Sequence, residues 1–374
     1  MKRRTTYAFC LLLGCVALAG CEKEHAEPSV SSPIKVNVIT ADTKSQPITL
    51  DDLRVAGNFV MDAYLDDPYE KYGSDGKPEE GKGGEAGLYI NSKGKYNVFY
   101  RSADWNLDPS YAWVAHDMTR FWCYYPENAA IDSESEGKRS ITTPETGKTV
   151  MYFSYELPAA CSSSPYNDAT NQQDILFAYA EKEYIDEEQS TDDIDIEFNH
   201  PLSEIRFSIS PDNGTYDMNL VLKSIQIMNV KKKGDCTFNG TGKIEPAEGE
   251  TPMFVWNTSS YGTESYKQDY NATFSHSMTD WVYDAGDAEE TFHTYTCKNA
   301  FMLIPQTLSG ARLSVTFGNT GTGSDITVEN DLPAWTWLPG HFYIYRIMAT
   351  TIGRTVTMKV SLDEWGHNET RYIF

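Results

Sequence analysis

Alternation of apolar and polar residues is the clearest pattern in the chain. The most complete example runs from Asp192 to Ser210 and is interrupted once, at Asn199-His200-Pro201. A period of two places apolar side chains on one face of a sheet and polar side chains on the other. Proline lacks the amide hydrogen that a sheet ladder needs, so the interruption ends one strand before the next begins. We therefore predict two half-buried strands joined at this break.

The same alternation, or a short apolar run, recurs along the rest of the chain. Runs of this kind before the break are Ile34–Ile39, Phe59–Leu65, Tyr96–Tyr100, Arg120–Pro126, Met151–Tyr155 and Asp174–Ala180. Those after it are Ser224–Val230, Cys236–Phe238, Phe301–Ile304, Leu313–Phe317, Phe342–Ile347 and Val356–Leu362. The sequence shows no strong amphipathic helix and no repeat of solenoid length. Many short strands separated by turns predict an all-β protein built from sandwich domains.

Polar stretches without apolar periodicity suggest how the chain is divided. The acidic stretch Glu181–Asp193 is flanked by strand runs on both sides and is predicted to link two domains. The N-terminal domain would then span residues 34–190 and the C-terminal domain residues 191–374. A second polar stretch, Gly249–Glu290, is interpreted as a long polar excursion.

The first twenty residues predict an export signal. Basic residues at the start are followed by the apolar run Phe9–Ala19, which is too short to span a membrane comfortably. The run ends in Leu18-Ala19-Gly20-Cys21, which matches the box that precedes the lipidated cysteine of bacterial lipoproteins. Cys21 is therefore the expected lipidation site, and residues 21–33 form a polar tether. The alternative is an ordinary signal peptide followed by a chance cysteine.

Composition and charge narrow the class of protein. Apolar residues make up 40% of the chain and aromatic residues 13%, which favours packed cores over disorder. The formal net charge of −23 argues against nucleic acid and anionic lipid as partners, because both are negatively charged. An acidic, self-repelling chain fits a soluble subunit displayed at a surface.

Four cysteines remain once the export signal and Cys21 are set aside. They are Cys123, Cys161, Cys236 and Cys297. The bacterial envelope permits disulfides, and four cysteines allow three pairings. Their wide spacing excludes a local metal knuckle. Buried free thiols are the alternative to disulfides, and the sequence leaves both open.

No catalytic or metal-binding motif stands out. The sequence contains no HExxH pair, no nucleophile elbow and no phosphate-cradling glycine loop. The acidic residues from Asp186 to Asp195 lack EF-hand spacing, so we interpret them as a solvated linker and not as a calcium site. His200 lies between two strands and is predicted to bond to the backbone, not to act as a ligand or base. We therefore predict a protein that is not an enzyme and uses no cofactor or metal.

Three tryptophans in polar surroundings support an alternative function. Trp105, Trp256 and Trp281 could stack on sugar rings if they were exposed, although core packing is the commoner fate of tryptophan. Sugar stacking would make the chain a monomeric surface glycan-binding lipoprotein.

Several short motifs together resemble the fimbrillin family, the Mfa-like and major fimbrial subunits of Bacteroidota pili. The motifs are Leu18–Cys21, Phe121–Pro126, Asp174–Ala178, Phe198–Ile205, Met302–Gln306, Trp337–Tyr345 and Val360–Trp365. Each motif is short, but their order extends over nearly the whole mature chain.

The resemblance implies a structure, a location and a way of assembly. It implies two transthyretin-like β-sandwich domains in a lipoprotein that is exported to the outer membrane and displayed in a cell-surface fimbrium. It also implies polymerisation with other fimbrial subunits by strand exchange, after a trypsin-like protease removes the first strand. The family usually carries arginine at the cleavage point, in a Thr-Arg-Ala-like context. Here the sequence reads Thr43-Lys44-Ser45, and the first arginine of the mature chain is Arg54. Lys44 and Arg54 are therefore the candidate processing sites.

Overall fold

A computed structural model describes residues 32–40, 48, 50–66, 88–114, 117–127, 149–157, 174–185, 193–211, 220–273, 281–284, 294–297, 300–319, 323–352, 355–366 and 369–371. Within these ranges the regular structure consists of strands and one short helix. The prediction of an all-β chain is confirmed.

The strands and the helix are numbered in the order in which they follow one another along the chain. The first nine strands are β1 Lys35–Thr40, β2 Asn58–Leu65, β3 Leu88–Ile90, β4 Val98–Arg101, β5 Asp104–Leu107, β6 Asp117–Tyr125, β7 Val150–Glu156, β8 Leu176–Tyr184 and β9 Asp193–Phe198. Helix α1, Leu50–Ala56, lies between β1 and β2. The later strands are β10 Ser203–Pro211, β11 Leu220–Lys231, β12 Lys233–Asn239, β13 Phe254–Asn257, β14 Thr263–Thr273, β15 Trp281–Asp284, β16 Thr294–Cys297, β17 Phe301–Leu303, β18 Arg312–Asn319, β19 Asp325–Asp331, β20 Phe342–Ile352, β21 Thr355–Gly366 and β22 Glu369–Arg371.

The described strands form four sheets. The first sheet has the order β8-β6-β2-β4-β5-β1-β9, and β3 pairs with β2 at its side. The second has the order β15-β16-β10-β20-β21-β22, with β17 paired to β10. The third is β14-β11-β18-β19, and the fourth is β13-β12-β7. Since β7 precedes the acidic stretch and β12 follows it, the fourth sheet combines strands from both halves of the chain.

Two hydrophobic cores share the strands β2, β6 and β8. The first core holds the buried side chains of β1, α1, β3, β4, β5 and β9, and the second core holds those of β7, β10–β14, β17, β18 and β20. In β6, Phe121 and Cys123 lie in the first core, whereas Trp122 and Tyr124 lie in the second. Successive side chains of a strand point to opposite faces, so one strand can supply both cores. This explains why these strands read as continuous apolar runs.

The single helix is fixed at both of its ends. Asp51 and Asp52 lie in its first turn and Arg54 in its last, which suits the helix dipole. Gly57 follows with φ of +74°, and its amide donates a hydrogen bond to the Leu53 carbonyl at 2.8 Å. Glycine adopts this left-handed conformation without steric cost, so it ends the helix. Among the described residues, no helix is long and apolar enough to cross a bilayer.

The break at residues 199–201 separates two strands, as predicted. Strand β9 alternates strictly between exposed acidic residues and buried apolar ones. Strand β10 differs, because Glu204 and Ser208 on its polar face are buried as deeply as the apolar residues opposite them. It lies inside the second sheet, between β20 on one side and β16 and β17 on the other. The two strands also belong to different sheets.

The acidic stretch Glu181–Asp193, which is predicted to link two domains, is overlapped by a strand at each end. Strand β8 continues to Tyr184, and β9 already begins at Asp193. Cross-strand partners explain the extension, since Glu181 pairs with Arg120 and their side chains are 3.3 Å apart. Tyr184 is buried and stacks on Trp113 at 5.3 Å. The division into domains at residues 190 and 191 stays a prediction, and β9 lies in the first sheet.

The polar stretch Gly249–Glu290 contains strands that the sequence pattern did not predict. Strands β13, β14 and β15 lie within it, and each pairs with a neighbour along its length. Strand β19 was also missed by the sequence pattern. Its half-buried Ile326 and Val328 pack against the second core, while Arg312 of β18 bridges its acidic side chains at 2.8 and 3.3 Å. Whether a polar segment at the edge of a sheet forms a strand depends more on the strand it pairs with than on its own alternation of apolar and polar residues.

Two of the four mature cysteines are buried free thiols. Cys123 and Cys236 form no disulfide, Cys161 lies outside the described residues, and the side chain of Cys297 is not described. Burial raises the pKa of both thiols well above the usual value, and the charge of Asp62 adds to this at Cys123.

We expect Cys123 and Cys236 to resist alkylation in the folded protein. A raised pKa keeps the thiol protonated at neutral pH, and only the thiolate is an effective nucleophile. Iodoacetamide labelling followed by peptide mass mapping should show modification of both only after urea unfolding. Rapid labelling of either one in the native protein would contradict the burial.

Candidate functional site

Strand β1 fills a gap in the first sheet between β5 and β9. It pairs in parallel with β9 over six residues, from Lys35 opposite Asp193 to Thr40 opposite Phe198. On its other side, Val36 and Trp105 of β5 are registered partners in an antiparallel arrangement. We call the space that β1 occupies between β5 and β9 the β1 groove. Loss of β1 would leave the edge of β9 without its ladder.

The side chains of β1 divide cleanly between the first core and solvent. Ile34, Val36 and Val38 are buried, whereas Lys35, Asn37 and Ile39 are exposed in the spaces between them. Burying three aliphatic side chains contributes about 4.5–9 kcal/mol, at about 1.5–3 kcal/mol each. The groove therefore offers three apolar sites at alternate positions of an extended strand.

Aromatic side chains pack around Trp105 and Phe198, two residues that pair with β1. The ring of Phe59 lies 5.2 Å from that of Trp105 and 5.1 Å from that of Phe198, in tilted and edge-to-face geometries. The Tyr100 ring lies 5.0 Å from Trp105 on the other side. Such pairs hold their shape well. The groove is thus built mainly by residues outside β1.

The residues that precede β1 also form backbone hydrogen bonds. The Ile34 amide donates to the Tyr111 carbonyl at 2.8 Å, and the Trp113 amide donates to the Ser32 carbonyl at 3.0 Å. These bonds extend the pairing of β1 upstream to Ser32.

Of the predicted lipidation and processing sites, only Arg54 lies within the described residues. Cys21 and Lys44 lie outside the described residues. Arg54 lies in α1, where its Nη1 is 3.1 Å from Asp51 Oδ1 and its guanidinium lies 5.9 Å from the centre of the Tyr100 ring. Proteases act on locally opened chain, so cleavage after Arg54 requires this turn to unwind and the buried Leu53 to leave its core. Cleavage at either residue stays a prediction.

A buried acid–histidine pair fastens the chain that follows β1. His200 Nδ1 and Asp174 Oδ2 lie 2.6 Å apart, and both side chains are 4% exposed. The carboxylate of Asp174 also accepts the amide hydrogens of Ile48, at 3.3 Å, and Ile175, at 2.8 Å. We call these two side chains and the Ile48 amide the Asp174 clamp. Since Ile48 lies between β1 and α1, the clamp holds the chain on the far side of Lys44 from β1.

The partner of His200 differs from the sequence prediction. We expected a backbone acceptor, and the structure instead provides a carboxylate from 26 residues earlier. In the sequence Asp174 stands at the polar start of an apolar run, and no local pattern marks it as buried. Both side chains are closed to solvent, so the pair is placed for structure and not for binding a substrate. Among the described residues, no three metal-ligating side chains converge.

Two of the three tryptophans that could stack on sugar rings pack against other residues of the protein. Trp105 lies in β5 and is 8% exposed. Trp256 is half buried, packs edge-on against Phe153 at 5.6 Å and donates its indole N–H to the Pro201 carbonyl at 2.9 Å. Trp281 lies in β15, and its side chain is not described. The first two serve as packing residues, which was the commoner alternative.

In this fold β1 completes the first sheet by lying between β5 and the edge strand β9. The chain belongs to the fimbrillin-like family, whose model matches residues 74–365. The resemblance found in the sequence is confirmed. A search of curated proteins finds no match. Family membership supports a role as a fimbrial subunit and a location at the cell surface.

Solved structures with a similar course of the chain are distant in sequence. A fimbrial protein from Bacteroides vulgatus is 13% identical, with a TM-score of 0.47, covering 89% of this chain and 99% of its own. The fimbrial anchor protein Mfa2 from Porphyromonas gingivalis is 11% identical, with a TM-score of 0.31, covering 90% of this chain and 98% of its own.

Proposed function

We propose that this chain is a structural, non-enzymatic subunit of a surface fimbrium, exported as an outer-membrane lipoprotein and assembled by strand exchange. The observation that carries the proposal is the β1 groove. It holds a strand through one full parallel ladder and three alternate apolar side chains, at the end of the chain nearest the predicted cleavage site.

Removal of β1 creates a vacancy that another chain can fill. A trypsin-like protease that cuts between β1 and α1 leaves β1 attached only by noncovalent contacts. Once β1 leaves, the edge of β9 and the apolar sites of the groove become exposed. An extended segment of a neighbouring subunit satisfies both by strand addition. The Asp174 clamp keeps the new N-terminal end on its own subunit while this happens.

The candidate donor is the C-terminal part of a neighbour, within Val356–Phe374. Val356, Met358, Val360 and Leu362 alternate with polar residues, as the buried residues of β1 do. Within its own chain this segment forms β21, which pairs with β20 over eleven residues and with the short β22. Donation from this segment therefore requires β21 to separate from β20 and β22. Otherwise the residues that follow β21 would have to reach the groove of the neighbouring subunit.

The proposed trigger is tested by blocking cleavage. The double variant Lys44→Ala with Arg54→Ala is expected to lose most polymer when treated with a trypsin-like protease, whereas the wild type forms ladders on an unboiled gel. Because Arg54 lies within a packed helix, Lys44→Ala alone should have nearly the full effect, and Arg54→Ala alone should have little. Polymerisation of the double variant at the wild-type level would show that removal of the first strand is not the trigger.

We expect Cys21→Ala to release the protein from membrane fractions. Two or more acyl chains bind a bilayer stably, and without the cysteine none is attached. Cell fractionation and immunoblotting measure the change, and Cys15→Ala is the matched control because Cys15 lies inside the predicted export signal. Full membrane retention of the Cys21 variant would contradict a lipid anchor at this residue.

A further inference from the structure

The outer rim of the β1 groove is acidic on both sides. The exposed side chains of β9 are Asp193, Asp195 and Glu197, which alternate with its buried residues. On the opposite side, β5 exposes Asp104 and Asn106. All three outward side chains of a strand in the groove therefore lie beside an acidic residue of β9, and the middle one also lies beside Asp104 of β5.

The strand that occupies the groove is matched to this rim. Lys35 lies opposite Asp193 in the parallel register, and Asn37 lies opposite Asp195. The Asn37 side-chain amide donates a hydrogen bond to Asp195 Oδ1 at 2.8 Å. The remaining outward residue of β1, Ile39, is uncharged. The resident strand thus offers a cation and a hydrogen-bond donor, and it carries no acid between Ile34 and Ile39.

We propose that the acidic rim selects the incoming strand by charge and fixes its register. This inference rests on the proposed strand exchange and specifies the chemistry of the donor. The favoured occupant is segment Val356–Leu362 of a second copy, running parallel to β9 with Lys359 opposite Asp195. Because the whole chain is strongly acidic, a basic residue at this point offsets the repulsion between copies where their backbones meet.

The register follows from the alternation and from the charges together. With Lys359 opposite Asp195, Val356, Met358 and Val360 take the three apolar sites of the groove. A slip of one residue would direct Lys359 into the first core, which is costly for a charge. A slip of two residues, which places Lys359 opposite Asp193, would set Asp363 against Glu197. Like charges on directly opposed residues destabilise a sheet.

The test measures capture of a labelled donor peptide by the full-length chain. A recognition sequence for a site-specific protease is placed between Asp42 and Gln46, so that cutting does not depend on Lys44. The probe is a fluorescent peptide of residues 355–363. At low ionic strength, we expect Asp195→Lys in the protein to slow capture of the peptide by about tenfold. We expect Lys359→Glu in the peptide to slow capture by the wild-type protein to the same extent. Combining the two changes should restore the rate to within about twofold of the wild type.

Control variants separate rim selection from general charge. Asp325→Lys makes the same change in net charge on β19 and should leave capture unchanged. The effect at Asp195 should vanish at about 1 M salt, where screening is nearly complete.

The possible outcomes distinguish the two proposals. Equal capture of all peptides by all variants would overturn rim selection and leave strand exchange standing. The variant Asp193→Lys is measured in the same way, and a larger effect of Asp193→Lys than of Asp195→Lys, or a failure of the reversed pair to rescue, would overturn the register. If the cut chain captures no peptide at all, both the inference and strand exchange from the C-terminal segment are wrong.

Discussion

Replacing Asp174 with alanine is expected to lower the free energy of unfolding by about 3–5 kcal/mol, because its buried carboxylate accepts several hydrogen bonds. The carboxylate accepts hydrogen bonds from His200, Ile48 and Ile175, and all three donors would lose their acceptor in a site closed to water. Each unsatisfied buried donor alone costs about 1–3 kcal/mol. Urea denaturation followed by tryptophan fluorescence measures the change.

Control variants show whether the effect belongs to the Asp174 clamp. Asp174→Asn keeps one acceptor oxygen and should lose less stability than the alanine variant. Asp331→Ala removes a carboxylate that is 87% exposed and 3.3 Å from Arg312, so its cost should stay within about 1 kcal/mol. A loss at Asp174→Ala no larger than at Asp331→Ala would mean that the clamp contributes little to the fold.

Val36→Asp is expected to release β1 from its groove without any protease. Val36 is 8% exposed and lies between Trp105 and Ile194. An uncompensated carboxylate there costs several kcal/mol, more than the valine contributes. Hydrogen exchange should show much faster exchange of the β9 amides of Asp193–Phe198, while the strands of the second core keep their protection.

The matched control for this variant is Ile39→Asp. It introduces the same group into the same strand at a side chain that is already 45% exposed. Exchange in β9 should rise only slightly, because an exposed carboxylate remains hydrated even opposite Glu197. Equal protection in the Val36 and Ile39 variants would show that the groove does not depend on its apolar sites.

Local patterns were sufficient for part of the candidate site. The alternation of Ile34, Val36 and Val38 identified β1 and the face that it buries, and the strict alternation of β9 identified its partner as a strand. The same patterns did not predict strands where both faces are buried or where charges are paired. Strand β8 continues through charged residues because Arg120 lies opposite Glu181. Strands β13, β14 and β15 form in a polar stretch because each pairs with a neighbouring strand.

The sequence by itself determined that the chain is all-β, where most strands lie, and which side chains of β1 are apolar. These properties depend on the two-residue period of a strand, which each segment carries within itself. Only the tertiary structure decided that β1 lies beside β9, some 158 residues away, that Asp174 meets His200, and that four carboxylates surround the groove. Such contacts depend on how strands from distant parts of the chain are placed in one sheet. The alternation within a single strand does not indicate which other strands it will pair with.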